Sequence, residues 1–236
     1  MSGKILVATG TYNERENIAR LVEQVLSVAA REPLDILIVD DNSPDGTGEI
    51  ADGLSKRHER VHVLHGPHKR GLGRAYLAAF GWALPSGYDT IITMDADFSH
   101  DPNYLPEMLK KSREYDVVVA SRYVPGGGVK NWPWYRKVVS RGGSIYARLV
   151  TGLPVRDATG GFNCYARGVL QSIGLETIQS EGYAFMIEMK FRAWKKGFRL
   201  CEIPIVFVDR TRGTSKMSKR IFLEAFFRCW KLRFSR

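Results

Sequence analysis

Short apolar runs alternate with stretches of helical spacing through the first half of the chain. Lys4–Thr9, Leu34–Val39, Val61–Leu64, Thr90–Met94 and Val117–Ala120 have strand length and are rich in β-branched residues. Asn17–Ala30, Gly48–His58, Gly73–Leu84 and Asn103–Ser112 lie between them with apolar positions at helical intervals. A β-α-β-α order predicts a mostly parallel central sheet covered by helices, because parallel neighbours need a crossover of helix length. Asp101-Pro102 punctuates the pattern as an N-cap followed by a proline at the first helical position.

The pattern changes after Ser121. Pro125, Gly126, Gly127, Gly128 and Pro133 mark Tyr123–Pro133 as a mobile loop. Arg136–Thr151 and a stretch around Ala184–Lys196 read as helices, Phe162–Tyr165 and Arg199–Val208 as strands, and Arg210–Ser218 as a basic loop. On the last helix, Lys219–Phe234, residues Arg220, Glu224, Arg228, Lys231 and Ser235 form a narrow polar stripe. Phe222, Phe226, Phe227, Trp230 and aliphatic neighbours take most of the remaining circumference. A surface helix that is this aromatic and this basic suits an anionic lipid surface; docking on the chain's own core or on a partner subunit is the alternative. The chain therefore divides into an α/β domain over 1–218 and a basic amphipathic helix over 219–236.

Charge narrows the partners. A net charge of +10 and a pI near 9.6 call for an anionic partner: nucleic acid, an acidic membrane or a phosphorylated substrate. The positive charge gathers beyond Arg210 and no nucleic-acid motif is present, which argues against nucleic acid. The three cysteines, Cys164, Cys201 and Cys229, have neither zinc spacing nor a disulfide pattern and suit a reducing compartment. The N-terminal MSGKILVATG leads directly into a strand, without the apolar core of a signal peptide. No run approaches the roughly 18–20 apolar residues of a membrane span. The expectation is a soluble protein, or one lying on a membrane without crossing it.

Three polar segments follow strands: Thr11–Asn17, Asp40–Thr47 and Asp95-Ala96-Asp97. In a parallel sheet they share one edge, where open α/β sheets bind ligands. Asp95 and Asp97 supply hard oxygen donors suited to Mg²⁺ or Mn²⁺, ions that divide their coordination between carboxylates and substrate phosphates. Neither a Gly-x-Gly-x-x-Gly nor a P-loop pattern is present, and Gly71-Leu72-Gly73 is too short to stand for either.

ATGTYNERENI, VDDNSPDGT, MDADFSHDP, ASRYVPGG, DATGGFNCY, EGYAFMIEM and FVDRTRGTSK, in that order, resemble the family 2 glycosyltransferases, in particular the dolichyl-phosphate (polyprenyl-phosphate) mannose synthase branch. The resemblance runs from the first strand to about Ser218. It implies an α/β GT-A (Rossmann-like) fold, a nucleotide-sugar donor with GDP-mannose first, Mg²⁺ or Mn²⁺, a polyprenyl or dolichyl phosphate acceptor, and inversion. It also implies a peripheral location on the cytoplasmic face of a membrane, with the membrane surface or a small membrane-anchoring subunit as partner of the last helix. Transfer of glucose from a UDP-sugar to the same lipid is the alternative.

Carried over position by position, the resemblance assigns the nucleoside to Gly10, Tyr12, Glu14, Val39 and Asp41. Gly10 stands where the family commonly has proline. Asp95, Ala96 and Asp97 take the diphosphate and metal, with Ser99 as a further metal ligand. Arg122, Arg210 and Lys216 become phosphate-binding cations, Asp97, Arg210 and Lys216 carry the transfer, and Arg122, Arg136 and Ser140 meet the acceptor phosphate. Glu181–Phe185 is expected on the sugar side, and Glu188 to supply pocket polarity or a salt bridge.

Overall fold

The computed structural model describes residues 3–29, 34–209 and 219–234, of which 219–223 are described by backbone alone. Its elements in chain order are β1 (Ile5–Thr11), α1 (Ile18–Ala29), β2 (Leu34–Asp40), α2 (Thr47–Arg57), β3 (Val61–His65), α3 (Leu72–Ala83), β4 (Thr90–Thr93), α4 (Leu105–Ser112) and β5 (Val117–Ser121), followed by β6 (Gly128–Lys130), α5 (Trp134–Thr151), β7 (Asn163–Ala166), α6 (Arg167–Ser172), α7 (Gly182–Lys195), β8 (Leu200–Pro204), β9 (Val206–Val208) and α8 (Lys219–Phe234). The sheet has seven strands in the order β3-β2-β1-β4-β7-β5-β8. Every pairing within it is parallel except those of β7 with β4 and β5.

Alternation along the strands builds two cores. Leu6 and Ala8 of β1 face the layer of α3, α5 and α7, while Ile5 and Val7 face that of α1, α2 and α4. The expected parallel sheet covered on both faces is thus what forms. The reversal of β7 was not legible, and it matters for the site. Asn163 pairs with Thr93, so β7 begins where β4 ends. The segment entering β7, rather than the one leaving it, therefore reaches the rim formed by the C-terminal ends of the parallel strands.

Two expectations need correction. Arg199–Val208 is not one strand: Pro204 has no N–H to donate, and the ladder moves on at Ile205, whose N–H reaches the Ser121 carbonyl at 3.0 Å. The second piece, β9, pairs instead with β6, inside the Tyr123–Pro133 stretch that was expected to be a mobile loop. Glycine is required at 127, where a Cβ would lie 2.6 Å from the Ser121 carbonyl oxygen.

Helix α8 packs on α7 and α5, with Cys229 and Leu232 buried in the core. Part of its polar stripe faces inward: Glu224 accepts from the Glu181 N–H at 3.0 Å, and Arg228 donates to the wholly buried Glu188 carboxylate. Its aromatic residues Phe227 and Phe234 face out. Among the described residues, no helix is long and apolar enough to cross a membrane.

Candidate active site

The C-terminal ends of β1, β2 and β4 and the N-terminal end of β7 converge on one rim. Asn13 and Asn42 adopt left-handed φ values of 61° and 57°, turning the chain away just beyond β1 and β2. Phe98 is held at φ 61°, between Asp97 and Ser99, an unfavourable conformation for a bulky side chain. The Arg20 guanidinium lies 5.0 Å from its ring centroid.

A cavity of about 490 Å³ at this rim is lined by Gly10, Tyr12, Glu14, Asp41, Asp95, Ala96 and Asp97, so the structure brings these sequence-assigned positions together. Val39 does not join them; it is buried in the core. Gly10 lets α3 approach closely, since a Cβ there would stand 3.1 Å from that of Ala75. Asp41 accepts from the N–H groups of Arg70 and Gly71, at 2.8 and 3.2 Å, and from Arg70 Nε at 3.1 Å. Lys69 sits 4.3 Å above the Tyr12 ring. Lys69 and Arg70 were missed by sequence reasoning; a basic pair in the loop between β3 and α3 was the available signal.

Asp95 Oδ1 accepts from Tyr76 OH at 3.3 Å. Burial, then the charge of Asp95, raise the Tyr76 phenol well above its ordinary value, so it remains a neutral donor. The Asp95 N–H donates to His100 Nδ1 at 3.0 Å, which places the imidazole proton on Nε2. Asp97 Oδ1 accepts from the backbone N–H of Ser99 at 3.1 Å and from its hydroxyl at 2.5 Å. Ser99, expected as a metal ligand, is buried with its hydroxyl committed to orienting Asp97.

The donor set fits a divalent metal. Among the described residues there is no group of three or more His, Cys, Asp or Glu that could hold one, so the protein offers two carboxylates and leaves other positions to phosphate and water. Mg²⁺ and Mn²⁺ bind nucleotides in this manner.

Two further cavities continue from the first. One of about 220 Å³ shares Leu72, Asp95, Asp97 and Gly182 with it and adds Arg122, Thr159, Gly160, Gly161 and Met186. The next, of about 370 Å³, shares Trp132, Arg136, Thr159 and Tyr183 with the second and runs between α5, α7 and α8. Its walls include Val139, Tyr146, Ile187, Phe226 and Cys229, and it is largely apolar. Val139 and Phe226 are also exposed, so it opens to solvent. On the outward side of α5, Trp134 and Leu149 are 76% and 78% accessible, with Arg141 and Arg148 exposed as well.

The expected acceptor residues line this path but are already engaged. Arg136 Nη1 donates to both oxygens of Asp209, at 2.9 and 2.8 Å, and its guanidinium stacks 4.2 Å from the Trp132 ring. Ser140 accepts from Tyr123 OH at 2.7 Å. Arg122 differs from the expected phosphate-binding cation: it is buried, and its Nε and Nη2 form a fork on Asp157 at 2.7 Å each. Burial pulls its pKa down, Asp157 more than compensates, and it ends above its ordinary value. Arg210 and Lys216 lie outside the described residues. Glu181 belongs to the first cavity rather than the second one, and Tyr183 to the second and third. Glu188 is a salt-bridge partner of Arg192 and Arg228.

The glycosyl transferase family 2 model matches residues 7–174. The chain is 44% identical over 234 residues to polyprenol monophosphomannose synthase of Mycolicibacterium smegmatis, covering 98% of this chain and 88% of that one. It is 45% identical over 222 residues to undecaprenyl-phosphate mannosyltransferase of Micrococcus luteus, covering 94% and 90%. In fold it matches glucosyl-3-phosphoglycerate synthase from Mycobacterium tuberculosis, solved with Mn²⁺, uridine diphosphate and glucosyl-3-phosphoglycerate, at TM-score 0.70 and 16% identity over 96% of this chain and 80% of that one.

Proposed function

Because the chain belongs to glycosyl transferase family 2 and has a GT-A-like fold, we propose that it transfers mannose from GDP-mannose to a polyprenyl or dolichyl phosphate, releasing GDP. The observation that carries the proposal is the row of adjoining cavities: an acidic chamber, a small mixed chamber bordered by Asp95, Asp97 and Arg136, then an apolar channel. A nucleoside diphosphate, a hexose and the phosphate end of a lipid tail suit these chambers in that order. The names of the mannosyl-transferring relatives in two bacteria support the choice of sugar and acceptor.

In this reading Tyr12, Glu14 and Asp41 hold the nucleoside, with Lys69 and Arg70 beside them. Asp95 and Asp97 hold Mg²⁺ or Mn²⁺, which supplies charge stabilisation for the departing diphosphate. Tyr76, Ser99 and the N–H of Ser99 fix the two carboxylates. Arg136 stands at the junction of the second and third chambers, with Ser140 beside it in the wall of the third, where a lipid phosphate entering along the channel would stop. Arg210 and Lys216 are assigned to the phosphates as well. A phosphate monoester has a second pKa near about 6, so at neutral pH the acceptor is already an oxyanion and needs no protein base. One in-line attack on the anomeric carbon then gives inversion. The exposed aromatic and basic face of α5 and α8 meets the surface of the membrane, on its cytoplasmic face, and presents the channel mouth to lipid.

The deciding experiment supplies GDP-mannose and UDP-glucose in competition, with polyprenyl phosphates of several lengths, with and without a chelator. Mannolipid formed from GDP-mannose and suppressed by the chelator is the expected result. Preferential glucolipid formation would transfer the reading to a UDP-sugar donor.

A further inference from the structure

The turn from Asp157 to Gly161 is held on every side by groups the proposed reaction does not otherwise use. Glu202 of β8 accepts from the N–H groups of Arg156 and Asp157, at 2.8 and 2.9 Å. Asp157, wholly buried, accepts from the Arg122 N–H at 2.9 Å as well as from its side-chain fork. Arg122 Nη2 reaches on to Thr159 Oγ1 at 3.0 Å. From α7, the fully buried Lys190 donates to the carbonyls of Gly160 and Ala158, at 2.7 and 3.1 Å. Asn163 Nδ2 reaches Gly160 O at 3.0 Å, and Thr93 Oγ1 reaches Gly161 O at 2.7 Å.

Stability alone does not call for this arrangement. Apolar residues of similar volume would fill such space at no greater cost than buried ions. Burial presses the Asp157 carboxyl upward, but Arg122 outweighs it and holds the acid below its usual range. Burial lowers the Lys190 ammonium to about 7 even with Asp157 nearby. What the ions fix is a backbone path, and that path borders the chamber beside the carboxylates. Thr159, Gly160 and Gly161 line it, and a Cβ on Gly161 would stand 3.8 Å from Asp95 Oδ1 and 3.5 Å from Met186 Cε. With no side chain at Gly160 or Gly161, backbone forms this part of the chamber wall, against which a polyhydroxylated ring can lie.

We propose that Arg122, Asp157 and Lys190 form a positioning unit that sets Thr159–Gly161 as the floor on which the hexosyl group of a nucleotide sugar is seated. The inference rests on the glycosyl-transfer reading above and adds to it residues that act through the backbone rather than on the reacting atoms.

The test compares wild type with Lys190→Met in the full chain, measuring affinity for GDP and for GDP-mannose with Mn²⁺, kcat with polyprenyl phosphate, and denaturant unfolding. This variant removes two hydrogen bonds from the turn while Asp157 keeps Arg122, so it is the one expected to fold. GDP affinity should stay within about twofold, because the nucleotide chamber is lined by other residues. The ratio of GDP-mannose to GDP affinity should fall, and kcat should drop about 10- to 100-fold, the range for a slightly misplaced reactant. Asp157→Asn should shift the same two quantities further, with a lower unfolding midpoint. A folded Lys190→Met with wild-type kcat and affinity ratio would overturn the proposal, as would equal losses for GDP and GDP-mannose. A wild-type chain that transfers no sugar from any nucleotide donor would instead sink the glycosyl-transfer reading, and this inference with it.

Discussion

Replacing Arg228 by methionine tests what holds α8 to the catalytic domain. Glu188 is wholly buried, and its carboxylate accepts from Arg228 Nε and Nη2 at 2.8 and 2.5 Å, from Arg192 Nε and Nη2 at 2.9 and 2.6 Å, and from Ser180 Oγ at 2.5 Å. A buried ion stripped of its sole partner costs about 3–5 kcal/mol. Here Arg192 and Ser180 remain, so the loss is that of hydrogen bonds to a charged group, about 2 kcal/mol. The loss falls on the attachment of α8 rather than on the sheet. If α8 opens locally, its open population rises by a factor of about 30, since each 1.36 kcal/mol is tenfold. Cys229 is the reporter, because it is buried on the inner face of α8 and burial pushes its thiol up to about 11. Thiol labelling followed by peptide mass mapping should therefore show Cys229 reacting about 30-fold faster. Cys164, in the central sheet, should label at its wild-type rate. Cys229 labelling within twofold of wild type would refute the reasoning, and a parallel rise at Cys164 would show that the ion pair supports the whole fold instead.

Asp97→Ala should abolish metal-dependent turnover while leaving the unfolding midpoint within about 0.5 kcal/mol of wild type; full activity in that variant would remove the metal role. Lys190, facing Asp157, Arg122 and Glu202, has its folded pKa lowered from 10.5 to about 7, so the unfolded chain binds the extra proton between those values. Its contribution to stability must then rise as pH increases from about 7 towards 10.5, and Lys190→Met should flatten that rise in a series of urea midpoints. Replacing Trp134 and Leu149 together by serine should weaken sedimentation with anionic vesicles about tenfold or more without lowering stability, because both side chains are largely in solvent.

The half of the molecule built from parallel strands was legible because its signals are local. A strand, a polar segment at its end and a helix appear in that order in the sequence, and the sheet then lines the segments up, so Tyr12, Asp41, Asp95 and Asp97 could be placed together before any coordinates. Phe162–Tyr165 could be read as a strand but not as a reversed one, since an apolar run carries no direction. The β6–β9 pairing was hidden because three residues of each strand are too few for periodicity to register, and glycines concealed one of them. For Arg122 the sequence showed the charge but not its ion-pair partner thirty-five positions on. For α8, composition identified an unusual helix. Which side would turn inward depended on Glu188, an acid on another helix forty positions away.

The chambers have separate approaches: one from the sheet rim past Tyr12, the other from the greasy side past Val139 and Phe226. A molecule so arranged works like a counter with customers on both sides. Under the proposed reaction, the sugar carrier need never leave water, the greasy recipient need never leave the bilayer, and each spent partner can depart by the door it came through without waiting for the other.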